Sequence, residues 1–232
     1  GANVDAQLKE VDQEIDKVVQ VIDETIADAD MDDVAKVWPE IKADLTSLRA
    51  ARADSALQLL DQHGSDAQKL ASLIDQATSS SGLLFDPDPA TYLYMDVVFS
   101  KTSQYLGAVT QMRSVVLRAL QKGEWTEADA AALKQQALSA KEAATQMQIR
   151  VASLKAFGEA ELAQWKIAMD AMQRYQDELL AFSAKALQLK STAGVQPMTV
   201  FESGHKAIEQ FDSFHNAAYE RMFFLLEERQ AA

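Results

Sequence analysis

Two arginines three positions apart are the first residues in this chain whose types and spacing suggest binding chemistry. Arg49 and Arg52 share one face of a predicted helix, because residues at i and i+3 are neighbours on a helix surface. Guanidinium groups bind carboxylates through paired hydrogen bonds. The chain carries a net charge of −13, so an organic anion would need such local positive charge. The pair predicts an organic-anion site; the alternative is two surface ion pairs with acids such as Asp44 and Asp54.

A second candidate is a stripe with the spacing i, i+3, i+4 and i+7, formed by Tyr92, Met95, Asp96 and Phe99. This spacing is typical of a helix face that packs on a core, and the same face can line a ligand pocket. Asp96 is the informative member, since a buried carboxylate needs a partner. We expect that partner to be the preceding turn, an arginine or a ligand amine. Tyr92, Met95 and Asp96 therefore join the two arginines as candidate ligand-binding residues.

Acidic and histidine side chains pair near the end of the chain, but we expect no metal there. Glu202 with His205 and Asp212 with His215 have the spacing that di-iron bundles use. Both pairs lie on one predicted helix, about 15 Å apart, so they cannot share a metal centre. His215 falls on an apolar seam and is predicted to be a hydrogen-bonded core histidine. With no Cys, nucleophile elbow or phosphate loop either, we expect no cofactor and no enzyme activity.

The composition predicts an all-α protein. Only 8 Gly and 4 Pro occur among 232 residues, and scarce helix breakers favour helices throughout. The negative charge without clustered Lys and Arg argues against nucleic acid and anionic lipid surfaces as partners. No run approaches the ~18 consecutive apolar residues of a membrane-spanning helix. The opening Gly1-Ala2 and the helical patterns at both ends indicate a piece of a longer protein.

The longest helical pattern runs from Thr126 to Gly194, with Gly158 as its single breaker. It predicts a helix of about 60 residues. Apolar steps of three and four alternate along it until two fours follow each other at Gly158, which is a stutter. We therefore predict elongated, stacked four-helix-bundle modules that share long helices, within one region spanning 1–232 and with a junction near residue 158. The alternative is a single bundle with a bent helix.

The clearest interruption of the helical pattern lies between Gly82 and Pro89, where the chain passes through two Asp-Pro pairs. Asp88 suits the N-cap of the next helix, and Pro89 suits its first position. That helix is predicted to continue to Gly123, since glycine is the preferred residue just past a helix C-terminus.

This turn and the helix after it resemble a segment of the extracytoplasmic, helical bimodular sensor regions of bacterial chemoreceptors and sensor histidine kinases. The matching residues are Ser81, Leu83, Asp86, Pro87, Asp88, Thr91, Tyr92, Met95 and Asp96. The chain departs from the family pattern at Leu93-Tyr94, where the usual order is Tyr then Leu. Because neighbouring helical residues point about 100° apart, the exchange moves one aromatic ring to another face.

The resemblance implies a periplasmic sensor domain, held between two transmembrane helices of an inner-membrane protein. Such a domain would bind a small molecule, often an organic acid, within a bundle, pair as a homodimer and signal by helix displacement. A chemoreceptor, a two-component histidine kinase and a cyclic-dinucleotide enzyme are all compatible outputs. The residues themselves also leave open a freestanding helical binding or scaffold protein and a ferritin-like metalloenzyme.

Overall fold

The computed structural model describes residues 2–28, 32–50, 56–82, 86–192 and 194–231. All regular structure in these ranges is helical, which confirms the predicted all-α fold class. The elements are α1 (Ala2–Asp28), α2 (Asp32–Ala50), α3 (Ala56–Ser80), α4 (Pro89–Met95), a π-helical turn (Asp96–Lys101), α5 (Thr102–Lys122), α6 (Glu127–Leu154), a 3₁₀ turn (Lys155–Phe157), α7 (Gln164–Leu189) and α8 (Pro197–Gln230). None of the helices in the described ranges combines the length and the apolar character that a bilayer crossing requires.

The chain divides into two compact units, Gly1–Ser81 and Gly82–Ala232. The division falls at the start of the Asp-Pro turn, where Gly82 takes a positive φ of 72°. Gly158, where the sequence placed a module junction, lies inside the second unit. The stacking of two modules stays a prediction.

The first unit packs α2 against both α1 and α3. Its core is formed by one face of α2 together with Leu73 of α3, and α1 adds partly buried aliphatic side chains. The indole of Trp38 is buried in this core and donates a hydrogen bond of 2.7 Å to Oδ1 of Asp23 on α1. Lys42 donates to the other oxygen of Asp23, at 2.6 Å. One carboxylate therefore fixes α1 against α2.

The second unit is a four-helix bundle. Its first helix is continuous from α4 through the π turn into α5. In the bundle, α5 packs on α6 and α7 packs on α8. Both α4 and α5 also pack on α8. Short connections join successive helices, as in up-down-up-down bundles. All four helices bury large side chains in one core, among them Tyr105, Met112, Leu133, Met147, Trp165, Met172, Phe211 and Phe214.

The predicted helix ends on either side of α4 and α5 are confirmed. Oδ1 of Asp88 accepts hydrogen bonds of 2.8 Å from the backbone N–H and the hydroxyl of Thr91. Gly123 closes α5 in the left-handed conformation, with φ at 77°. Thr126 and Asp129 then form a reciprocal capping box that begins α6.

The predicted helix of about 60 residues is wrong. After α6 and the 3₁₀ turn, Gly158 adopts a φ of 85°, which only glycine reaches without steric cost. Its N–H bonds to the carbonyl of Lys155, and the N–H of Glu159 bonds to the carbonyl of Leu154, as in a Schellman motif. The chain then enters α7 as a separate helix. The stutter in the sequence marks a helix end, because glycine here caps the helix and does not bend it.

Candidate functional site

The predicted arginine pair lies largely outside the described residues. The backbone of Arg49 belongs to α2, but its side chain and the whole of Arg52 are not described. The anion site that they would form stays a prediction.

The predicted stripe on α4 does not form one surface. Met95 is fully buried, Asp96 is 8% exposed, and Phe99 is partly buried against the core. Tyr92, however, is 39% exposed. The buried face of α4 carries Ala90, Thr91, Tyr94 and Met95, so Tyr92 lies off this face. The structure therefore brings Met95 and Asp96 into the bundle and leaves Tyr92 at its surface.

Asp96 is paired with an arginine, one of the three partners that the sequence left open. Nε of Arg150, on α6, donates a hydrogen bond of 2.7 Å to Oδ2 of Asp96. Nζ of Lys101 lies 3.9 Å from Oδ1 of the same carboxylate. Two cations thus lie beside a single carboxylate. Sequence reasoning could not identify Arg150, because it lies 54 positions away on another helix.

Beside this ion pair, an open groove of about 450 Å³ lies between the first helix of the bundle and α6. Its lining is polar and consists of Lys101, Gln104, Ser139, Glu142, Ala143 and Gln146. Lys101 belongs both to this groove and to the surroundings of Asp96. A small anion in the groove would meet the ammonium of Lys101 and would be repelled by the carboxylate of Glu142.

A second ionic cluster surrounds Glu159, the residue after Gly158. The guanidinium of Arg221, on α8, donates one hydrogen bond of 2.8 Å to each carboxylate oxygen. The hydroxyl of Tyr94 donates to Oε2 at 3.1 Å. Hydrogen bonds from Arg221 lower the pKa of Glu159, and burial raises the pKa of Tyr94. Tyr94 thus places a phenol of α4 against the α6–α7 connection.

The Asp-Pro turn itself is held by the end of α8. Two guanidinium nitrogens of Arg229 donate to the two oxygens of Asp86. Asp86 also accepts a hydrogen bond of 2.8 Å from the backbone N–H of Asp88. The hydrogen bonds from Arg229 lower the pKa of Asp86. The Asp-Pro turn is thereby joined to the C-terminal part of α8.

His215 is hydrogen-bonded, as the sequence predicted, but its side chain is half-buried and does not belong to the core. Its Nε2 lies 3.1 Å from the carbonyl oxygen of Val98, in the π turn. A carbonyl can only accept, so Nε2 carries a hydrogen. In the part of the chain that the structure describes, no group of three or more His, Cys, Asp or Glu side chains has the arrangement of a metal site.

Comparison of the chain with protein-family models, with curated proteins and with solved structures found no match.

Proposed function

We propose that this chain is the extracytoplasmic ligand-sensing region of a bacterial transmembrane chemoreceptor. The observation that carries the proposal is the pairing of Asp86 with Arg229. It joins the turn that resembles chemoreceptor sensors to the C-terminal part of α8, so a change at the turn is transmitted to that helix. The full-length protein is then membrane-anchored and homodimeric, with its sensor in the periplasm, and needs no cofactor.

The ligand that we propose is a small organic anion. The groove beside Lys101 supports this choice, because the ammonium of Lys101 lines it and lies 3.9 Å from Asp96, beyond hydrogen-bond distance. A carboxylate entering the groove would compete with Asp96 for Lys101. Such a ligand would favour one of two packing arrangements of the bundle, and α8 would be displaced between them. The pair Arg49 and Arg52 remains the second proposed anion site.

A sensor histidine kinase and a freestanding helical binding protein are the alternative functions. The first differs only in the output domain that the sensor controls. The second would lack apolar segments of about 18 residues beside this region in its gene.

A thermal-shift screen of small carboxylates, amino acids and inorganic anions tests the ligand proposal. A ligand that binds only the folded protein raises its stability by about 2.7 kcal/mol at a concentration of 100 Kd. Loss of the shift in Lys101→Gln, with retention in Arg49→Ala/Arg52→Ala, would assign the site to the groove, and the reverse result would assign it to the arginine pair. Lys134→Gln, which changes an exposed lysine elsewhere on α6, is the matched control.

The sensor proposal is tested separately with the full-length protein in membranes. Addition of the ligand found in the screen should change the cytoplasmic output. If the ligand binds the isolated region and the output does not change, the protein is a binding protein and the receptor proposal is wrong.

A further inference from the structure

We infer that the π turn Asp96–Lys101 is a one-residue register switch in the first helix of the bundle. A π turn closes i→i+5 hydrogen bonds and so holds one residue more than an α-helical turn; such turns are rare and occur often at functional sites. Rewinding it into α-helix moves the flanking helix by one residue, about 1.5 Å along the axis and about 100° around it. The inference concerns this helix alone and holds whether or not the receptor proposal is correct.

Side chains stabilise the π form by pairing with its carbonyl groups. The carbonyl of Val97 accepts from the backbone N–H of Thr102, five residues on, and from the Thr102 hydroxyl at 2.8 Å. The neighbouring carbonyl of Val98 accepts from Nε2 of His215 on α8. Each of these side-chain hydrogen bonds is made to a carbonyl of the π turn, so both side chains favour the observed register. His215 makes that preference depend on α8.

The sequence of α4 also fits the other register. Suppose that the π turn becomes α-helical while α5 stays fixed. Every residue of α4 then shifts by one residue along the helix, away from α5, and occupies the position that the preceding residue holds now. Tyr92 then enters the buried position of Thr91, and Asp96 enters that of Met95. In this register the helix has no π turn, and the stripe Tyr92, Met95, Asp96 and Phe99 lies on one face, as the sequence pattern predicts. The deeper burial of Asp96 makes this register the costlier one unless its carboxylate keeps a partner.

The two registers differ in their contacts with the rest of the bundle. Rewinding the turn withdraws Tyr94 from Glu159 and moves Asp86 relative to Arg229. If the receptor proposal holds, the switch would carry a change at the Asp-Pro turn to α8.

Deletion of one residue from the π turn tests whether the flanking helices can keep their packing without the additional residue. Deleting Ser100 should convert the turn to α-helix while both flanks keep their present packing, so the melting temperature should stay the same or rise. Deleting Gln111 from α5 is the matched control. This deletion shifts the residues between the π turn and position 111 out of their packing positions. It should lower the melting temperature by roughly 5–10 °C. An equal loss of stability in the two deletion variants would overturn the inference.

Hydrogen exchange of the unaltered protein tests the same inference without relying on a variant. Backbone amides of residues 97–102 should exchange about tenfold faster than those of residues 105–116, because the π turn opens when the register shifts. His215→Leu should accelerate exchange at 97–102 in the parent chain and leave it unchanged once Ser100 is deleted. Equal protection of the two segments in the unaltered protein would show a static turn, and the switch would be rejected.

Discussion

Arg221 donates a hydrogen bond to each carboxylate oxygen of Glu159, which lies 62 positions earlier in the sequence. This ion pair links the connection between α6 and α7 to α8. The Glu159 side chain is 9% exposed and that of Arg221 is 37% exposed. Arg221 also lies over the ring of Phe224, 4.8 Å from its centroid. The contact is therefore a partly desolvated, two-point ion pair, a kind that contributes more than a typical surface pair.

Replacement of Arg221 should destabilise the protein markedly. Among the described residues, Arg221→Met leaves this nearly buried carboxylate with the Tyr94 hydroxyl as its one side-chain donor. We expect a loss of roughly 1–3 kcal/mol in the free energy of unfolding. Urea denaturation measures it.

The same connection offers a matched control for this variant. Lys155 and Glu161 form an ion pair of 2.9 Å whose side chains are about half exposed. Glu161→Gln should change the free energy of unfolding by less than about 0.5 kcal/mol. Equal effects of Arg221→Met and Glu161→Gln would mean that the Glu159 contact is no stronger than a solvated one.

Stability should fall in acid, in part because of Glu159 and Asp86. Hydrogen bonds from arginines lower the pKa of both carboxyl groups in the folded protein. A group whose folded pKa is below its unfolded pKa contributes its full stabilisation above the unfolded value, and this is lost as the pH falls through the folded value. We therefore expect the loss to begin below about pH 5 and to deepen towards pH 3.

Urea denaturation between pH 7 and pH 3 measures this dependence. The variant Glu159→Gln cannot titrate at this position, so its stability should fall less steeply over the same range than that of the parent protein. Parallel curves for the two proteins would show that Glu159 does not contribute to the acid sensitivity.

Local interactions made the helix ends around α4 and α5 predictable. The N-cap hydrogen bond of Asp88 is made with Thr91, three residues on. The C-terminal cap at Gly123 uses only carbonyl groups in the last turn of its own helix. Gly158 was recognised as a helix breaker, but a glycine inside a long apolar pattern fits both a bend and a C-terminal cap. The φ of 85° shows that the helix ends there.

The ionic contacts of the candidate site were beyond sequence reasoning for a different reason. Asp96 could be identified as a carboxylate that needs a partner, yet the chain has 22 Lys and Arg residues and spacing does not select Arg150 among them. The π turn was equally hidden, since its stabilising donor His215 comes from a helix 117 positions away. Tertiary packing decides both.

The pairing of Asp96 with Arg150 should show strong energetic coupling. Arg150→Met leaves the buried carboxylate with Lys101, at 3.9 Å, as the nearest cation among the described residues. We expect a loss of about 2–4 kcal/mol in the free energy of unfolding. The double variant Asp96→Asn/Arg150→Met should be more stable than Arg150→Met, because no buried charge remains without a partner. Free energies of unfolding of the parent, both single variants and the double variant give the coupling energy, and a value below about 0.5 kcal/mol would contradict the assigned pair.

A methyl group at Gly204 should destabilise the bundle although glycine is a poor residue inside a helix. A Cβ at this position of α8 would lie 2.6 Å from the hydroxyl oxygen and 2.7 Å from Cζ of Tyr175. The ring is buried, and its hydroxyl donates to the carbonyl of Val200 at 3.3 Å. Gly204→Ala must therefore displace a packed tyrosine or separate α7 from α8, at a cost of about 1–3 kcal/mol.

Gly107 on α5 provides the control for Gly204→Ala, because a Cβ there would meet no atom within 4 Å. Gly107→Ala should raise the free energy of unfolding by about 0.5–1 kcal/mol, the usual gain from alanine in a helix. Thermal or urea unfolding of the two variants should thus move in opposite directions from the parent. A stabilising effect of Gly204→Ala would mean that α7 and α8 lie further apart than the Tyr175 contact requires, since only close approach of the ring makes glycine necessary there.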